Sequence, residues 1–309
     1  MGYGIIKPEV SGSATPYAEA SINCVFQGIL MKILLTGVSG FIGHHLAQAL
    51  TAGGHRVTPV SRRNGQDMQT LLTPDAWLPH LEGVDAVINS VGIIAETRGQ
   101  TFEKLHHRAP AALFRACEQA GIRRVVQISA LGADAQAFTP YQLSKYAADE
   151  VLRRLPLEGV VLRPSLVYGQ GGASMALFQR LARLPVIPLV GDGQYRVQPV
   201  HISDVVATVL QCLHTLPAQR TLDVVGVQPL TFVEWLQQLR RAAGKRPAPT
   251  LAIPFAVVMA SAHVGRLVMP LLHPDNLRML QRGNVADVTP LAAFLGRMPL
   301  SVEEGLCCI

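Results

Sequence analysis

The feature that most constrains how this chain folds is the segment MKILLTGVSGFIG at residues 31–43. Residues 33–35 form a short apolar run of the kind that lies buried in a parallel sheet, and Gly37 ends it. From Phe41 onward, apolar residues recur at helical spacing until Gly53. The segment is therefore predicted to be a buried strand, a glycine turn and the start of a helix.

The glycine turn has the spacing of a dinucleotide phosphate site. Gly37, Gly40 and Gly43 are three residues apart, which allows a tight turn, a close backbone approach to a pyrophosphate and close packing of helix on strand. The helix that follows would direct its free N–H groups at the phosphates. An ordinary strand–helix turn is the alternative, but the order of strand, glycines and helix favours a cofactor. The residues predicted to hold the phosphates are Gly37, Ser39, Gly40, Phe41, Ile42 and Gly43.

Strand-like segments alternate with helical patterns beyond this turn. VDAVINS ends at Ser90, IRRVVQIS ends at Ser129, and a helical pattern runs from Phe102 to Ala120 between them. Residues 62–83 are short for a further strand and helix, which predicts a truncated or irregular third strand. The alternation predicts an α/β fold with a doubly wound parallel sheet, in which ligands bind at the carboxyl ends of the strands.

The second strand, HRVTPVS, ends in residues that bear on the choice between NAD and NADP. An acidic side chain about twenty residues beyond the glycines would bind the ribose 2′-hydroxyl of NAD. This chain has Ser61, Arg62 and Arg63 at that place. A serine and a guanidinium can bind a 2′-phosphate instead. A pair of solvated arginines is the alternative, and we expect NADP to be preferred over NAD.

Tyr141 and Lys145 are the candidate catalytic pair. They are four residues apart in a helical pattern, so both side chains lie on one face, one turn apart. A neighbouring ammonium favours a phenolate, so we expect the pKa of Tyr141 to be lowered and the residue to act as a general acid or base. Ser129, at a strand end, could donate a hydrogen bond to the same substrate oxygen. Such pairs also occur by chance on solvated helices; the position after that strand favours catalysis.

Several segments together resemble the short-chain dehydrogenase/reductase superfamily, in its extended or atypical branch. They are TGVSGFIG at 36–43, YQLSK at 141–145, LRPSLVYG at 162–169 and PVHISDVV at 199–206. ISALGAD at 128–134 and the helix before it are most similar to relatives of the Rossmann-fold accessory subunit of respiratory complex I. Many members of that group are described as nucleoside-diphosphate-sugar epimerase-like.

The resemblance implies a Rossmann fold that binds NAD(P), with Tyr141 as the proton donor or acceptor. It also implies that Lys145 contacts both this tyrosine and the nicotinamide ribose, and that Pro164 lies near the nicotinamide. Extended enzymes commonly place their catalytic serine or threonine a position or two beyond Ser129, where this chain has Ala130 and leucine, so the role of Ser129 stays open. The small turn after the VDAVINS strand adds further predicted cofactor residues, Ser90, Val91 and Gly92.

Domain limits follow from the same patterns. Residues 1–30 are predicted to be a leader, either flexible or an overextended start. Residues 31–221 would form the NAD(P)-binding domain, and residues 222–309 a small, mostly helical lobe that binds substrate or another subunit. The apolar stretch 254–272 contains a histidine and an arginine, which argues against a transmembrane span. A lobe helix or a homodimer contact is preferred for it, and peripheral membrane contact comes third.

Composition narrows the partners and the compartment. The net charge is +6, but the basic residues are scattered in pairs without a block of five or six. We therefore expect no nucleic-acid surface, although pairs on one face could form a patch. The five cysteines lack metal-ligand spacing, which predicts reduced thiols in a cytoplasmic protein and no metal site.

These observations together predict an oxidoreductase or epimerase with a small-molecule substrate. It would transfer a hydride between NAD(P) and a carbon that bears a hydroxyl or carbonyl, while Tyr141 transfers the proton. Reductase, epimerase and dehydratase reactions all begin with that step. The alternative, which the complex I resemblance suggests, is a non-catalytic NAD(P)-bound protein that supports assembly or senses redox state.

Overall fold

The structure is a computed structural model that describes residues 30–217, 220–259 and 274–308. The predicted leader, apart from Leu30, and residues 260–272 of the apolar stretch lie outside this described part. The strands in chain order are β1 (Lys32–Thr36), β2 (Arg56–Val60), β3 (Ala86–Asn89), β4 (Arg124–Ile128), β5 (Glu158–Pro164), β6 (Val167–Tyr168), β7 (Ile187–Val190), β8 (Arg196–Val197), β9 (Val200–His201), β10 (Thr221–Val224), β11 (Leu230–Thr231) and β12 (Thr250–Ile253).

Helices connect most of these strands. The α-helices are α1 (Phe41–Ala52), α2 (Pro74–Trp77), α3 (Ala109–Gln119), α4 (Pro140–Arg154), α5 (Ala173–Arg183), α6 (Ile202–His214), α7 (Phe232–Ala242), α8 (Pro274–Arg282), α9 (Thr289–Leu295) and α10 (Val302–Cys307). Short 3₁₀ turns lie at Arg62–Asn64 and Leu78–His80, and a π-helix at Glu103–Arg108 leads into α3.

A six-stranded sheet forms the centre of the molecule, with all neighbouring strands parallel. Its strand order is β2–β1–β3–β4–β5–β10. The chain passes from β1 to β2 on one side and then returns to add β3, β4 and β5 on the other. The order thus reverses beside β1, and the ends of β1 and β3 border the crevice in which such folds bind ligands. The predicted doubly wound parallel sheet is confirmed.

The predicted third strand is absent. Residues 62–83, all of which the structure describes, contain only the two 3₁₀ turns and the four-residue helix α2. Trp77 from this segment is fully buried, and its indole N–H donates to the carbonyl oxygen of Leu71 at 2.9 Å. An extra parallel strand between β2 and β3 would need two crossover connections, one on each side, of a dozen or more residues apiece, and the 22 residues of this segment cannot supply both.

Helices cover both faces of the sheet. On one face, α1 and α6 pack against strand residues such as Ile33 and Leu35. On the other face, α3 and α4 pack against residues such as Leu34 and Val87. Successive residues of a strand point to opposite faces, so a continuous apolar run is what a strand covered on both sides requires.

The smaller lobe is built from residues on both sides of the predicted domain boundary. Its core combines Met175 and Ala182 of α5 with Trp235 and Leu236 of α7. The predicted boundary at 221/222 falls inside β10, which pairs with β5 in the main sheet. That boundary therefore does not separate two packed units, because α5 and β7 continue the alternation of strand and helix in the sequence but pack into the lobe. In the ranges described, the lobe is mostly helical, and no helix has both the length and the apolarity to cross a bilayer.

Candidate active site

The glycine turn forms a narrow cradle at the end of β1. Gly37 has a φ of +72°, a left-handed conformation that glycine adopts without strain. A Cβ on Gly43 would lie 2.2 Å from the carbonyl oxygen of Gly37. Only a residue without a side chain therefore fits at Gly43, and α1 begins in direct contact with the turn.

The N-terminus of α1 opens toward this cradle. Gly40 is the N-cap, no side chain caps the helix, and its first turn contains no acidic residue. Ser39 and Gly40 are exposed. The free N–H groups of Phe41, Ile42 and Gly43 and the helix dipole favour an anion here. The residues present thus fit the diphosphate of a dinucleotide.

The end of β2 presents the groups predicted to select the nucleotide. Ser61 is only 8% exposed, and its Oγ has no hydrogen-bond partner. Arg62 and Arg63 are exposed and form no ion pair with any residue that the structure describes. The backbone N–H of Gly37 donates to the carbonyl oxygen of Val60 at 3.2 Å, which places these groups beside the glycine turn. A buried hydroxyl without a partner next to two unpaired guanidinium groups fits a phosphate.

The segment after β3 lies against the same turn. Ser90 donates from its Oγ to the carbonyl oxygen of Thr36 at 2.6 Å, which joins the ends of β3 and β1. A Cβ on Gly37 would lie 2.9 Å from the backbone nitrogen of Val91, and one on Gly92 would lie 3.4 Å from the Nζ atom of the nearby lysine on α4. The predicted cofactor residues of β1, β3 and α4 therefore meet at one crevice.

Helix α4 carries both members of the candidate catalytic pair. Thr139 is its N-cap and accepts a hydrogen bond from the backbone N–H of Gln142 at 3.3 Å, while Pro140 occupies the first helical position. These start signals fix where the helix begins. Tyr141 consequently lies in its first turn, and Lys145 lies one turn later on the same face.

Lys145 is held between two strand ends. Its Nζ donates to the carbonyl oxygens of Val91 at 2.8 Å and Ile128 at 3.1 Å. Burial lowers the pKa of Lys145 to about 8, although the nearby carboxylate of Asp149 raises it. The ammonium is therefore charged at neutral pH and fixed in position at the floor of the crevice.

Tyr141 packs against two aromatic rings. The rings of Phe102 and His106 meet it edge-on, with centroids at 5.8 and 5.4 Å. No residue in the described ranges hydrogen-bonds its hydroxyl. Burial and the charge of Asp149 raise the pKa of Tyr141 to about 12. The prediction of a lowered pKa is wrong for this structure, because burial and the charge of Asp149 both raise it.

Ser129 is engaged by a buried carboxylate. Its Oγ donates to Oδ2 of Asp149 at 2.5 Å, and Asp149 is fully buried. Burial raises the pKa of Asp149 to about 6, although the hydrogen bond from Ser129 lowers it. The proton that Ser129 was predicted to offer a substrate oxygen is thus used inside the protein. Two residues further on, the N–H of Leu131 donates to the carbonyl oxygen of Pro164 at 2.9 Å, so Pro164 lies at the same edge of the sheet.

A chain of buried polar side chains, missed in the sequence, links the strand ends beneath the crevice. Thr36 donates from Oγ1 to Oδ1 of Asn89, and Asn89 donates from Nδ2 to Oε1 of Gln127 at 2.6 Å. Gln127 in turn favours the charged form of Asp149 and lowers its pKa. Asp149 did carry a signal, because it follows Tyr141 at twice the four-residue helical spacing.

His106, which no sequence motif marks, supports Tyr141 from the π-helix. Its Nε2 accepts from the backbone N–H of Ile93 at 2.9 Å, so the hydrogen-bond network assigns the proton to Nδ1, which donates to Ser144 at 3.0 Å. Ser144 donates to the carbonyl oxygen of Tyr141 at 2.8 Å. Burial and the charge of Lys145 hold the pKa of His106 well below its usual value. A neutral histidine therefore fixes the position of the tyrosine.

The strand order, the glycine cradle and the free helix N-terminus define a dinucleotide-binding protein of the Rossmann class. A family model described as the NAD dependent epimerase/dehydratase family matches residues 33–225. The chain therefore belongs to this family, which agrees with the resemblance stated above.

Relatives with named activities include two reductases. The chain is 27% identical to a ceramide reductase of Caulobacter vibrioides over 228 residues. This alignment covers 68% of the chain and 69% of the reductase. It is 28% identical to a 2-alkyl-3-oxoalkanoate reductase of Stenotrophomonas maltophilia over 89% of this chain and 97% of the relative. It is 30% identical to the mitochondrial NADH dehydrogenase (ubiquinone) 1 alpha subcomplex subunit 9 of Arabidopsis thaliana, over 57% of this chain and 48% of that subunit.

Solved structures share the fold. The UDP-glucose 4-epimerase of Thermotoga maritima, solved with UDP-glucose, aligns with a TM-score of 0.69 at 19% identity and covers 90% of this chain and 97% of its own. The UDP-glucose 4-epimerase of Thermus thermophilus, solved with NAD, aligns with a TM-score of 0.65 at 20% identity over 89% and 96% of the two chains. At these identities the comparison establishes the fold.

Proposed function

We propose that this protein is an NADP(H)-dependent reductase that converts a carbonyl group of a small molecule to a hydroxyl, with Tyr141 as the proton donor. The observation that carries the proposal is the position of Tyr141. Its hydroxyl has no partner within the described residues, its ring is fixed by Phe102 and His106, and Lys145 lies one turn away at the crevice. A phenol without a partner, held one helical turn from a buried ammonium, is suited to proton transfer.

The protonation states favour reduction over oxidation. With a pKa of about 12, Tyr141 is protonated at neutral pH and can donate to an oxygen that becomes an alkoxide. Lys145, with a pKa of about 8, is then charged and stabilises the phenolate that Tyr141 becomes. A bound nicotinamide would supply the hydride, and the resemblance implies that its ribose would lie against Lys145. Two named relatives that are reductases support the same direction.

The cofactor we propose is NADP rather than NAD. Gly37, Gly40 and Gly43 would hold the diphosphate. The unpartnered Oγ of Ser61 and the unpaired guanidinium groups of Arg62 and its neighbour Arg63 would bind the 2′-phosphate. Isothermal titration calorimetry with NADPH and NADH tests this directly. Tighter binding of NADPH is expected, and tighter binding of NADH contradicts the proposal.

The catalytic assignment is tested with a pair of tyrosine variants on one helix. NADPH consumption would be followed with a panel of carbonyl compounds that includes 2-alkyl-3-oxoalkanoates, since a relative is named for them. Tyr141→Phe is expected to lower kcat by about 10²- to 10⁴-fold, the usual contribution of a positioned general acid. The control is Tyr146→Phe on the same helix, whose ring lies under Arg153. Equal loss in both variants, or none in Tyr141→Phe, contradicts the role.

A non-catalytic protein remains the second candidate. It is favoured by the 30% identity to the complex I subunit and by the engagement of Ser129 with Asp149. The same panel of carbonyl compounds separates the two candidates. A non-catalytic protein would bind NADPH, but no compound of the panel would cause NADPH to be consumed. The expected compartment is the cytoplasm, and fractionation of the cells that make the protein would test it.

A further inference from the structure

Two segments of the smaller lobe carry cations and no acidic side chain. Residues 173–191 and residues 235–259 contain neither aspartate nor glutamate. Their basic residues are Arg180, Arg183, Arg240, Arg241, Lys245 and Arg246. The two segments are more than forty positions apart in the chain, so the sequence shows only scattered basic pairs.

The fold brings these cations to one end of the lobe. Helices α5 and α7 pack against each other, and Arg240 joins their C-terminal ends. Its Nη1 donates to the carbonyl oxygens of Ala182 and Leu184, both at 2.7 Å, and its Nε donates to that of Arg246. The remaining cations are exposed and form no ion pair within the described ranges. We call them the basic end; its members are Arg180, Arg183, Arg241, Lys245 and Arg246.

Large aliphatic side chains are exposed beside the basic end. Leu184 and Val186, between α5 and β7, are 41% and 43% exposed. Leu251 of β12 is 57% exposed and pairs in register with Pro188 of β7. Cations near helix C-termini are favoured by the helix dipole, but the dipole does not account for exposed leucine and valine side chains beside them. Exposed apolar side chains rimmed by polar ones mark interaction sites.

We propose that the basic end and its exposed aliphatic side chains bind the surface of a membrane rich in anionic phospholipid. The cations would be attracted by the negative headgroups, and the leucine and valine side chains would enter the boundary between headgroups and acyl chains. The negative charge of the membrane surface complements the positive charge of the basic end, and because these cations are already exposed the protein need not rearrange to bind. A site for single-stranded nucleic acid would combine cations with exposed aromatic rings that stack on bases, whereas the exposed apolar side chains here are aliphatic.

Flotation of the full chain with lipid vesicles tests the proposal. The vesicles would contain phosphatidylcholine alone or phosphatidylcholine with phosphatidylglycerol. We expect binding only to the anionic vesicles and release at high salt, because salt screens exposed charges. The triple variant Arg241→Gln, Lys245→Gln, Arg246→Gln should bind about a hundredfold more weakly, since each cation near such a surface contributes about fivefold. Leu251→Ser should weaken binding by a smaller factor.

A matched variant controls for net charge. Arg56→Gln, Arg108→Gln, Arg115→Gln removes three exposed cations from the main domain, and it should keep most of the affinity. Equal binding of wild type and the basic-end triple variant overturns the proposal; that is also the result expected if residues 260–273 alone bound the vesicles. Equal binding to both kinds of vesicle overturns it as well. Binding to an RNA or DNA duplex without binding to vesicles replaces the membrane with nucleic acid. None of these outcomes depends on turnover, so the proposed reductase activity is tested separately.

Discussion

The crevice at the strand ends and the basic end of the lobe both contain several charged groups. In the crevice these groups are buried and hydrogen-bonded, whereas at the basic end they are exposed and have no acidic partner among the described residues. In the crevice, Lys145 donates to two carbonyl oxygens and Asp149 accepts from Ser129. At the basic end, exposed cations have no acidic partner within the described residues. A buried charge without partners costs several kcal/mol, whereas exposed charges cost little. The crevice therefore fixes individual atoms, and the basic end supplies only an electric field and an exposed surface.

The largest effect is expected where the crevice has least room. In Gly43→Ala, the new Cβ would lie 2.2 Å from the carbonyl oxygen of Gly37, so α1 must move away from the turn. Such overpacking costs roughly 1–3 kcal/mol, and the same strain in the cradle would weaken NADPH binding by about ten- to a hundredfold. Calorimetry measures the affinity. Gly99→Ala, where a Cβ meets no atom within 4 Å, is the control. Unchanged NADPH affinity in Gly43→Ala would mean that this turn does not hold the cofactor.

Removing the buried carboxylate is expected to change the pH dependence of reduction. Asp149 raises the pKa of both Tyr141 and Lys145, so Asp149→Asn should lower both. Reduction needs a protonated tyrosine and a charged lysine, and the alkaline limb of kcat/KM should therefore move to lower pH. A shift of one pH unit corresponds to about a tenfold lower rate at a fixed alkaline pH. Glu150→Gln, next on the helix and paired with Arg153, is the control. If the alkaline limb of kcat/KM does not move in Asp149→Asn, the charge of Asp149 does not set the pKa of Tyr141 and Lys145.

Ser129→Ala separates a structural serine from a catalytic one. Loss of its hydrogen bond should raise the pKa of Asp149 and cost about 1–3 kcal/mol of stability, because a buried carboxylate oxygen loses its partner. The rate should fall less than in Asp149→Asn, and mainly near neutral pH, because Asp149 is still ionised at higher pH and Lys145 stays charged at lower pH whatever the state of Asp149. Denaturant unfolding and the pH profile of kcat are the measurements. A uniform loss of kcat at every pH, with stability unchanged, would show that Ser129 acts on the substrate.

The same contrast explains which parts of the fold the sequence could predict. The strand–glycine–helix unit is local, since Gly37 and Gly43 lie within seven residues, and its role follows from spacing alone. The parallel sheet follows from repeated local patterns. The packing of α5 could not be predicted, because in the sequence α5 looks like one more helix of the alternation, whereas in the structure it packs on Trp235 and Leu236 of the lobe.

Only part of the candidate site's geometry could be predicted. The placement of Tyr141 and Lys145 on one face of a helix follows from the sequence, because one helical turn separates them. The bond between Ser129 and Asp149 joins a strand end to a helix twenty positions away, and burial, which sets the pKa of Tyr141, has no signature in the spacing. The basic end was missed for the same reason, because its arginines meet only when α5 packs on α7.

The smallest effect is expected when the basic end is altered. The triple variant Arg241→Gln, Lys245→Gln, Arg246→Gln removes exposed cations without ion-pair partners in the described ranges, so the free energy of unfolding should change by no more than about 0.5 kcal/mol. Any change should be a slight gain, because like charges at one end of the lobe repel. Urea unfolding and NADPH calorimetry measure both properties. A loss of more than about 1 kcal/mol in the free energy of unfolding would mean that these side chains have stabilising partners, as Lys145 has. The contrast between hydrogen-bonded charges in the crevice and unpartnered charges at the basic end would then no longer hold.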